Sequence, residues 1–305
     1  MQGEIILTPT ESKKLIAKAV LSLKEVQEAL KKGIVAMHPS SSTIFIYEAL
    51  VGRKPQGVWV CGVNAPKGLC GSLEAQQMIA ARGAGPHDPG NARQTWFFKK
   101  GVLQESTRLQ EILDQMTPND VYVKGSNALD PQGNVGVLYA NPAGGGGTIG
   151  KVIAAYRQKK FHLLLPIGLE KLIPIPIAEA AKRAGFKKVD KAMGMPCGLM
   201  PVSGRKIDEV DAMEILSGAK AFPIAAGGLG GAEGAIVLAL EGSEKEVQKA
   251  FDVTQGVKGA QLPKLNPPDC ETCINPNCHI AQNRGKIDMV KKIGDEVMNS
   301  PNLLY

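Results

Sequence analysis

Aromatic residues are scarce in this chain: seven phenylalanines, five tyrosines and two tryptophans make up 5% of its 305 residues. No stretch interleaves them with arginines, so the stacking platform of a single-strand nucleic-acid binder is missing. There is no helix-turn-helix segment or strongly basic recognition helix either, and no nucleic-acid partner is expected. Apolar runs are short, none reaching the roughly 18 residues of a membrane span, so no membrane partner is expected. The start, MQGEIILTPTESKK, lacks the charged, apolar and small-residue succession of a secretory signal, and the chain is read as cytoplasmic. Blocks of like charge are also absent. The net charge of +7 is spread over doublets such as Lys31-Lys32, Lys99-Lys100 and Lys187-Lys188, which suits solvated helix ends and an anionic small molecule as ligand.

What is present is an ordinary globular balance, 44% hydrophobic and 21% charged, with 35 glycines that point to many tight turns. Thr8-Pro9-Thr10-Glu11 is a helix start, and Leu15, Ile16, Val20, Leu23, Val26 and Leu30 keep helical spacing as far as Gly33. GIVAM then reads as a buried strand, STIFIYEALVG as a helix and GVWVCGV as the next strand, a rhythm that predicts a parallel sheet. TWFFKKGVL reads as a strand pair, Thr107 to Gln110 as a capping box, DVYVKGS and FHLLLPI as strands, and TIGKVIAAYRQKK and IAEAAKRAG as helices. ARGAGPHDPGNAR, residues 81–93, reads as a surface loop. The expected fold is α/β: a mostly parallel, doubly wound sheet over residues 1–199, a smaller α/β lobe over 200–262, and a C-terminal cysteine-rich metal-binding segment with a terminal helix over 263–305.

Two loops have the composition of anion seats. In the first, an apolar strand ends in HPSSST, where the hydroxyls and N–H groups of Ser40, Ser41, Ser42 and Thr43 open a helix beside His38. His38 reads equally as a phosphate donor or acid–base group and as a turn-capping histidine. In the second, Gly144, Gly145, Gly146 and Gly147 run into Thr148 and a helix, offering successive backbone N–H groups with no β-carbons in the way.

GSNALDP followed by AGGGGTIGK and then FHLLLPIGLEKLI resembles the loops and strand of the superfamily that contains ribose-5-phosphate isomerase, glucosamine-6-phosphate deaminase and the coenzyme A transferases. The resemblance covers roughly residues 10–180, and the later lobe is similar to the isomerase's small α/β lid. It implies a pocket at the strand ends for a phosphate-bearing or coenzyme A-like ligand, with Lys124, Asn127 and Asp130 on the loop. It also implies what the chain cannot do. Lys124 and Asn127 stand where the isomerase carries two catalytic aspartates, Ala143 where it has a lysine and Val152 near its glutamate's place, so the proton-shuttling carboxylates of aldose–ketose isomerisation are gone. Glu233, in GGLGGAEG, lies in the wrong lobe for a transferase nucleophile and reads as a hairpin residue.

DCETCINPNCHI packs three of the six cysteines into nine positions: Cys270, Cys273 and Cys278, a C-x2-C-x4-C run among turn-forming neighbours. Cysteines two residues apart can share one metal centre. His279 adjoins Cys278, and neighbouring side chains usually diverge, so the fourth ligand is left open among Cys61, Cys70, Cys197, His279 and an open position. An iron–sulfur cluster, [4Fe–4S], is favoured over zinc. Cys70, three residues after Lys67, is also a candidate nucleophile with a lowered thiol pKa, and Cys197 lies in a glycine- and proline-framed loop. Two functions stay open. One is a cytoplasmic enzyme of anaerobic or sulfur-related metabolism that binds an anionic small molecule and carries a cluster; the other is a metabolite-sensing or assembly protein with a structural zinc. Either leaves room for a homo-oligomer or a protein partner.

Overall fold

The computed structural model describes residues 1–75, 95–104, 108–140, 145–266, 268–273, 275 and 278–282. After the first strand, β1 (Gln2–Leu7), the chain enters a helix whose start is set locally. The Glu11 N–H donates to the Thr8 hydroxyl, the Thr8 N–H donates to the Glu11 carboxylate, and Pro9 takes the first helical position. The helical spacing that runs to Gly33 is broken once. Buried Leu23 adopts an extended conformation and divides the segment into α1 (Pro9–Ser22) and α2 (Lys24–Lys32).

Next come β2 (Ile34–Met37), α3 (Ile44–Val51), the hairpin β3 (Cys61–Ala65) and β4 (Gly68–Gly71), the hairpin β5 (Trp96–Lys99) and β6 (Val102–Leu103), and α4 (Leu109–Gln115). The middle of the chain supplies β7 (Val121–Val123), β8 (Ala128–Leu129), β9 (Val135–Tyr139), α5 (Gly147–Lys159), β10 (His162–Pro166) and α6 (Ile177–Arg183). Then follow β11 (Gly198–Val202), β12 (Arg205–Ile207), α7 (Glu209–Ser217), β13 (Lys220–Gly227), β14 (Ala235–Glu241), α8 (Glu244–Gln255) and a last helical turn, His279–Gln282. Among the described residues no helix is long and apolar enough to cross a membrane. Thr107 of the expected capping box, the 81–93 loop with His87, and the expected terminal helix lie outside the described residues.

The central sheet has six strands in the order β12-β10-β7-β2-β5-β6. It is mixed, with three of its five pairings parallel. β12, β10, β7 and β2 run parallel, whereas β5 and β6 are antiparallel because a two-residue turn at Lys100 and Gly101, both at positive φ, folds one straight back on the other. Alternation along the strands sends side chains to opposite faces. Val35, Met37, Val121, Val123 and Leu164 pack with α1, α2, α3 and α7, while Ile34, Ala36, Tyr122, Leu163 and Leu165 pack with α4 and α5. Both faces are therefore buried.

The segment GVWVCGV does not extend this sheet. Both edges of β2 are already taken, by β7 and β5, and Cys61–Ala65 pairs only with Gly68–Gly71 in a separate two-stranded sheet. The pairings also cut across the expected boundary at residue 200. β11 lies antiparallel to β9 and β12 joins the central sheet, while the lobe's three-stranded sheet, β1-β14-β13, recruits the amino terminus, with Gln2 opposite Glu241 and Leu7 opposite Ile236. Glu233 sits in the glycine turn between β13 and β14, where the Gly231 N–H donates to its carboxylate.

Asp120 joins two elements of the central sheet. Its Oδ1 accepts from the Ile34 N–H at 2.6 Å at the start of β2, and its Oδ2 accepts from the Thr117 N–H and hydroxyl at 2.7 and 2.8 Å. We predict that Asp120→Ala destabilises the fold by about 1–3 kcal/mol in denaturant unfolding, because the buried Ile34 N–H loses its acceptor. Asp120→Asn should recover part of the loss.

Candidate functional site at the strand ends

Parallel strands deliver their carboxyl ends to one edge of the sheet, so the loops after β2, β7, β10 and β12 gather there. The first residue past β2 is His38 and the first past β7 is Lys124, both more than nine-tenths buried. Beyond β10 the chain turns through Leu169–Lys171, which brings Glu170 and Lys171, and past β12 the residues Asp208 and Glu209 start α7. Lys13, on α1, completes the group through an ion pair of 2.8 Å to Glu170.

Several of these groups have polar atoms that the protein does not use. Buried His38 Nδ1, Glu170 Oε2 and Glu209 Oε1 have no hydrogen-bond partner among the described residues, and the same is true of Trp59 Nε1, whose ring meets the His38 ring edge-on at 5.3 Å. Lys124 makes no hydrogen bond or ion pair through its ammonium group among the described residues, while Lys171 donates to the Ser126 carbonyl at 2.9 Å and lies 4.0 Å from Glu170.

The electrostatics follow from burial. Desolvation lowers the Lys124 pKa to about 8, with the charge of Lys171 adding to it. Lys171 also falls to about 8, again through desolvation, with Glu170 and Glu209 opposing and Lys13 reinforcing the shift. Glu209 rises to about 7, driven by burial and by the neighbouring Glu170 charge, against the Leu169 N–H that donates to it at 2.9 Å and the Ser12 hydroxyl hydrogen-bonded to its carboxyl. His38 is pushed well below its usual value by burial and then by Lys124, so its ring is neutral. The edge thus holds amines and a carboxyl that exchange protons near neutral pH beside an uncharged imidazole, which is what acid–base chemistry requires.

The sequence-predicted residues divide. His38 and Lys124 are in the group, and Ser41 and Ser42 lie on the loop beside it. Ser40 and Thr43 are not free for a ligand, because they close the turn that starts α3: the Ser40 N–H donates to Thr43 Oγ1 at 2.9 Å, and Thr43 Oγ1 donates to the His38 carbonyl at 2.7 Å. Asn127 Oδ1 accepts from the Leu138 N–H and clips β8 to β9. Asp130 accepts from the N–H groups of Gln132, Asn134 and Ile177 and from the Asn134 side chain, so its carboxylate is consumed by the loop. These hydrogen bonds have one cause: a short polar side chain beside a tight turn satisfies the backbone first.

In the glycine run, Gly144 lies outside the described residues, and Gly145, Gly146 and Gly147 all take positive φ before Thr148 in α5. A β-carbon on Gly150 would come within 1.7 Å of the Gly145 carbonyl oxygen. The turn's own packing therefore requires glycine. Lys13, Glu170, Lys171 and Glu209 escaped the sequence reading; for the last three the signal available was their position shortly after the parallel strands β10 and β12.

No family model, curated protein or solved structure matches this chain.

A second cluster surrounds the β3–β4 hairpin. Cys273 and Cys278 are buried with Met195 and Ala281, against Leu69, Ala140 and Ile280. Lys67, Asp269, Cys270, Glu271 and Ile280 line a cavity of about 390 Å³. Cys70 is not activated by Lys67 as expected. Burial pushes its thiol pKa up, and Cys273, Cys278 and Cys270 push it in the same direction, so the nucleophile reading loses its basis. Burial raises the Cys197 thiol as well. Cys70, Cys197, Cys270, Cys273 and Cys278 are all free of disulfides. Among the described residues no three His, Cys, Asp or Glu side chains are placed to hold a metal ion.

Lys124 provides a test with a defined sign. Its folded pKa of about 8 lies below the ordinary 10.5, so between those values the unfolded chain binds more protons and wild-type stability rises with pH. Below pH 8 the buried cation costs stability in full. Lys124→Met is therefore expected to stabilise the protein by about 1–3 kcal/mol at pH 7. The gain should fade as pH rises from 8 to 10.5 in unfolding curves taken across that range.

Proposed function

We propose that this chain is a cytoplasmic enzyme that binds an anionic small molecule, phosphate-bearing or coenzyme A-like, at the carboxyl ends of its parallel strands. Lys124 and Lys171 hold the anion, and Ser41 and Ser42 supply hydroxyls from the adjoining loop. Glu209, poised near neutrality, moves the proton, and His38 offers a neutral ring as donor or acceptor. The observation that carries this reading is the convergence of buried polar atoms without partners among the described residues, His38 Nδ1, Glu170 Oε2 and Glu209 Oε1, at the edge where buried Lys124 also lies. Folded proteins rarely leave such groups unsatisfied unless a ligand completes them.

The resemblance of residues 10–180 to the ribose-5-phosphate isomerase and coenzyme A transferase superfamily supports the same edge as the ligand site. Isomerase activity is not part of the proposal, since Lys124 and Asn127 replace its acidic pair. The cysteine segment Cys270, Cys273 and Cys278 is proposed to carry an iron–sulfur cluster, and thiols without disulfides suit a reducing compartment.

Pyridoxal 5′-phosphate with borohydride tests the anion site, because this anionic aldehyde condenses with a neutral lysine amine, releasing water, and the reductant then fixes the imine. Peptide mapping should find Lys124 or Lys171 labelled first, with half-maximal labelling near pH 8 and protection by inorganic phosphate. Label spread over surface lysines such as Lys31 and Lys32, with no phosphate protection, would sink the reading.

A further inference from the structure

The C-x2-C-x4-C run offers three thiols, and a closed cluster site needs four. The chain holds the run against one particular place. Leu73 donates its N–H to the Asn266 carbonyl at 3.0 Å, four residues before Cys270. At the other end, the His279 N–H donates to the Gly194 carbonyl at 2.9 Å, and residues 193–195 are bound to Leu69 by two backbone hydrogen bonds of 2.9 Å, Leu69 N–H to Met193 and Met195 N–H to Leu69. Leu69 and Leu73 flank Cys70. Both ends of the cysteine run are thus tied to the residues on either side of the same thiol.

The joint is closely built. A β-carbon on Gly68 would lie 2.0 Å from the Met193 carbonyl oxygen, and one on Gly194 would lie 2.1 Å from the Leu69 carbonyl oxygen, so the two backbones meet only because both positions are glycine. Side chains close the gap from the other direction. Leu69 packs with Cys273 and Cys278, and Lys67 shares the 390 Å³ cavity with Cys270. The Cys61 side chain lies outside the described ones.

We propose that Cys70, presented by β4, joins Cys270, Cys273 and Cys278 as the fourth thiolate of an iron–sulfur cluster that clamps the C-terminal segment onto the β3–β4 hairpin. This rests on the reading of the cysteine segment as a cluster site. A single zinc would draw all its ligands to one point, about 2.3 Å from each sulfur. A cubane takes one thiolate at each of four separate irons, so its ligands stand around a volume and each gives up its proton on binding. With four protein thiolates no iron is left open. The centre is then a structural or electron-transferring one, and substrate chemistry stays at the strand ends.

The test uses the full chain, purified without oxygen, with iron and sulfide analysis, visible absorption and electron paramagnetic resonance. Wild type should hold iron and sulfide in equal amounts, about four of each. Cys70→Ala should keep a three-thiolate cluster that loses one iron under mild oxidation and shows a three-iron signal absent from wild type treated alike, whereas Cys197→Ala should behave as wild type. Cys70→Ser guards against misfolding of the alanine variant. A cluster with a shifted spectrum in the serine variant, or loss of iron from both variants with native circular dichroism, supports the assignment. A wild-type cluster in Cys70→Ala, equally resistant to oxidation, or a three-iron signal in Cys197→Ala, overturns Cys70 as ligand while leaving the cluster reading intact. Wild type that binds one zinc, or neither metal, overturns the cluster itself.

Discussion

The parallel hydrogen-bond ladder of β2, β7 and β10 is the constraint on which everything else depends. Its last rungs are made by residues already outside the strands: the His38 N–H donates to the Val123 carbonyl at 3.2 Å, and the Lys124 N–H donates to the Leu164 carbonyl at 2.9 Å. The groups proposed to bind ligand are therefore held by the sheet itself. Because the strands are parallel, the same rung positions recur on neighbouring strands at one edge, and side chains far apart in sequence are brought together.

That arrangement places charge where it is poorly solvated. Lys124 sits above strands whose side chains fill both faces with apolar packing, and the like charge of Lys171 adds to the cost of its own. Glu209 and Lys171 are held in the same tension with opposite sign, which draws their proton affinities toward each other and toward neutrality. A carboxyl that titrates near pH 7 beside amines that titrate near pH 8 can exchange protons with a ligand at little cost. In a fold devoted only to stability the same positions would be apolar.

The strand-end group and the cysteine cluster are joined by a short stretch of chain. Trp59 packs its ring against His38, and the next residue, Val60, exchanges backbone and side-chain hydrogen bonds with Ser72 at the end of the hairpin that carries Cys70. A centre that fixed the hairpin would also fix Trp59, and through it the orientation of the imidazole. The two regions thus share a mechanical boundary.

The amino-acid sequence by itself determined the local pieces. The Thr8–Glu11 and Ser243–Glu246 capping boxes, the helix that follows the glycine run and the strand pair around Lys100 and Gly101 all form where their own residues dictate, since a cap, a positive φ or a period of 3.6 acts within a few positions. Only tertiary structure decided that β1 would cross to pair with β14, that Cys61–Ala65 would leave the sheet, and that β5 would approach β2 antiparallel, because strand partners are chosen by which edges remain free. It also decided which polar residues were left over. Asp130 and Asn127 looked like site residues and accept from nearby backbone N–H groups, while Lys171 and Glu209 escaped the sequence reading. What set the latter apart was desolvation, which depends on the sum of neighbours from distant parts of the chain and has no signature in the local sequence.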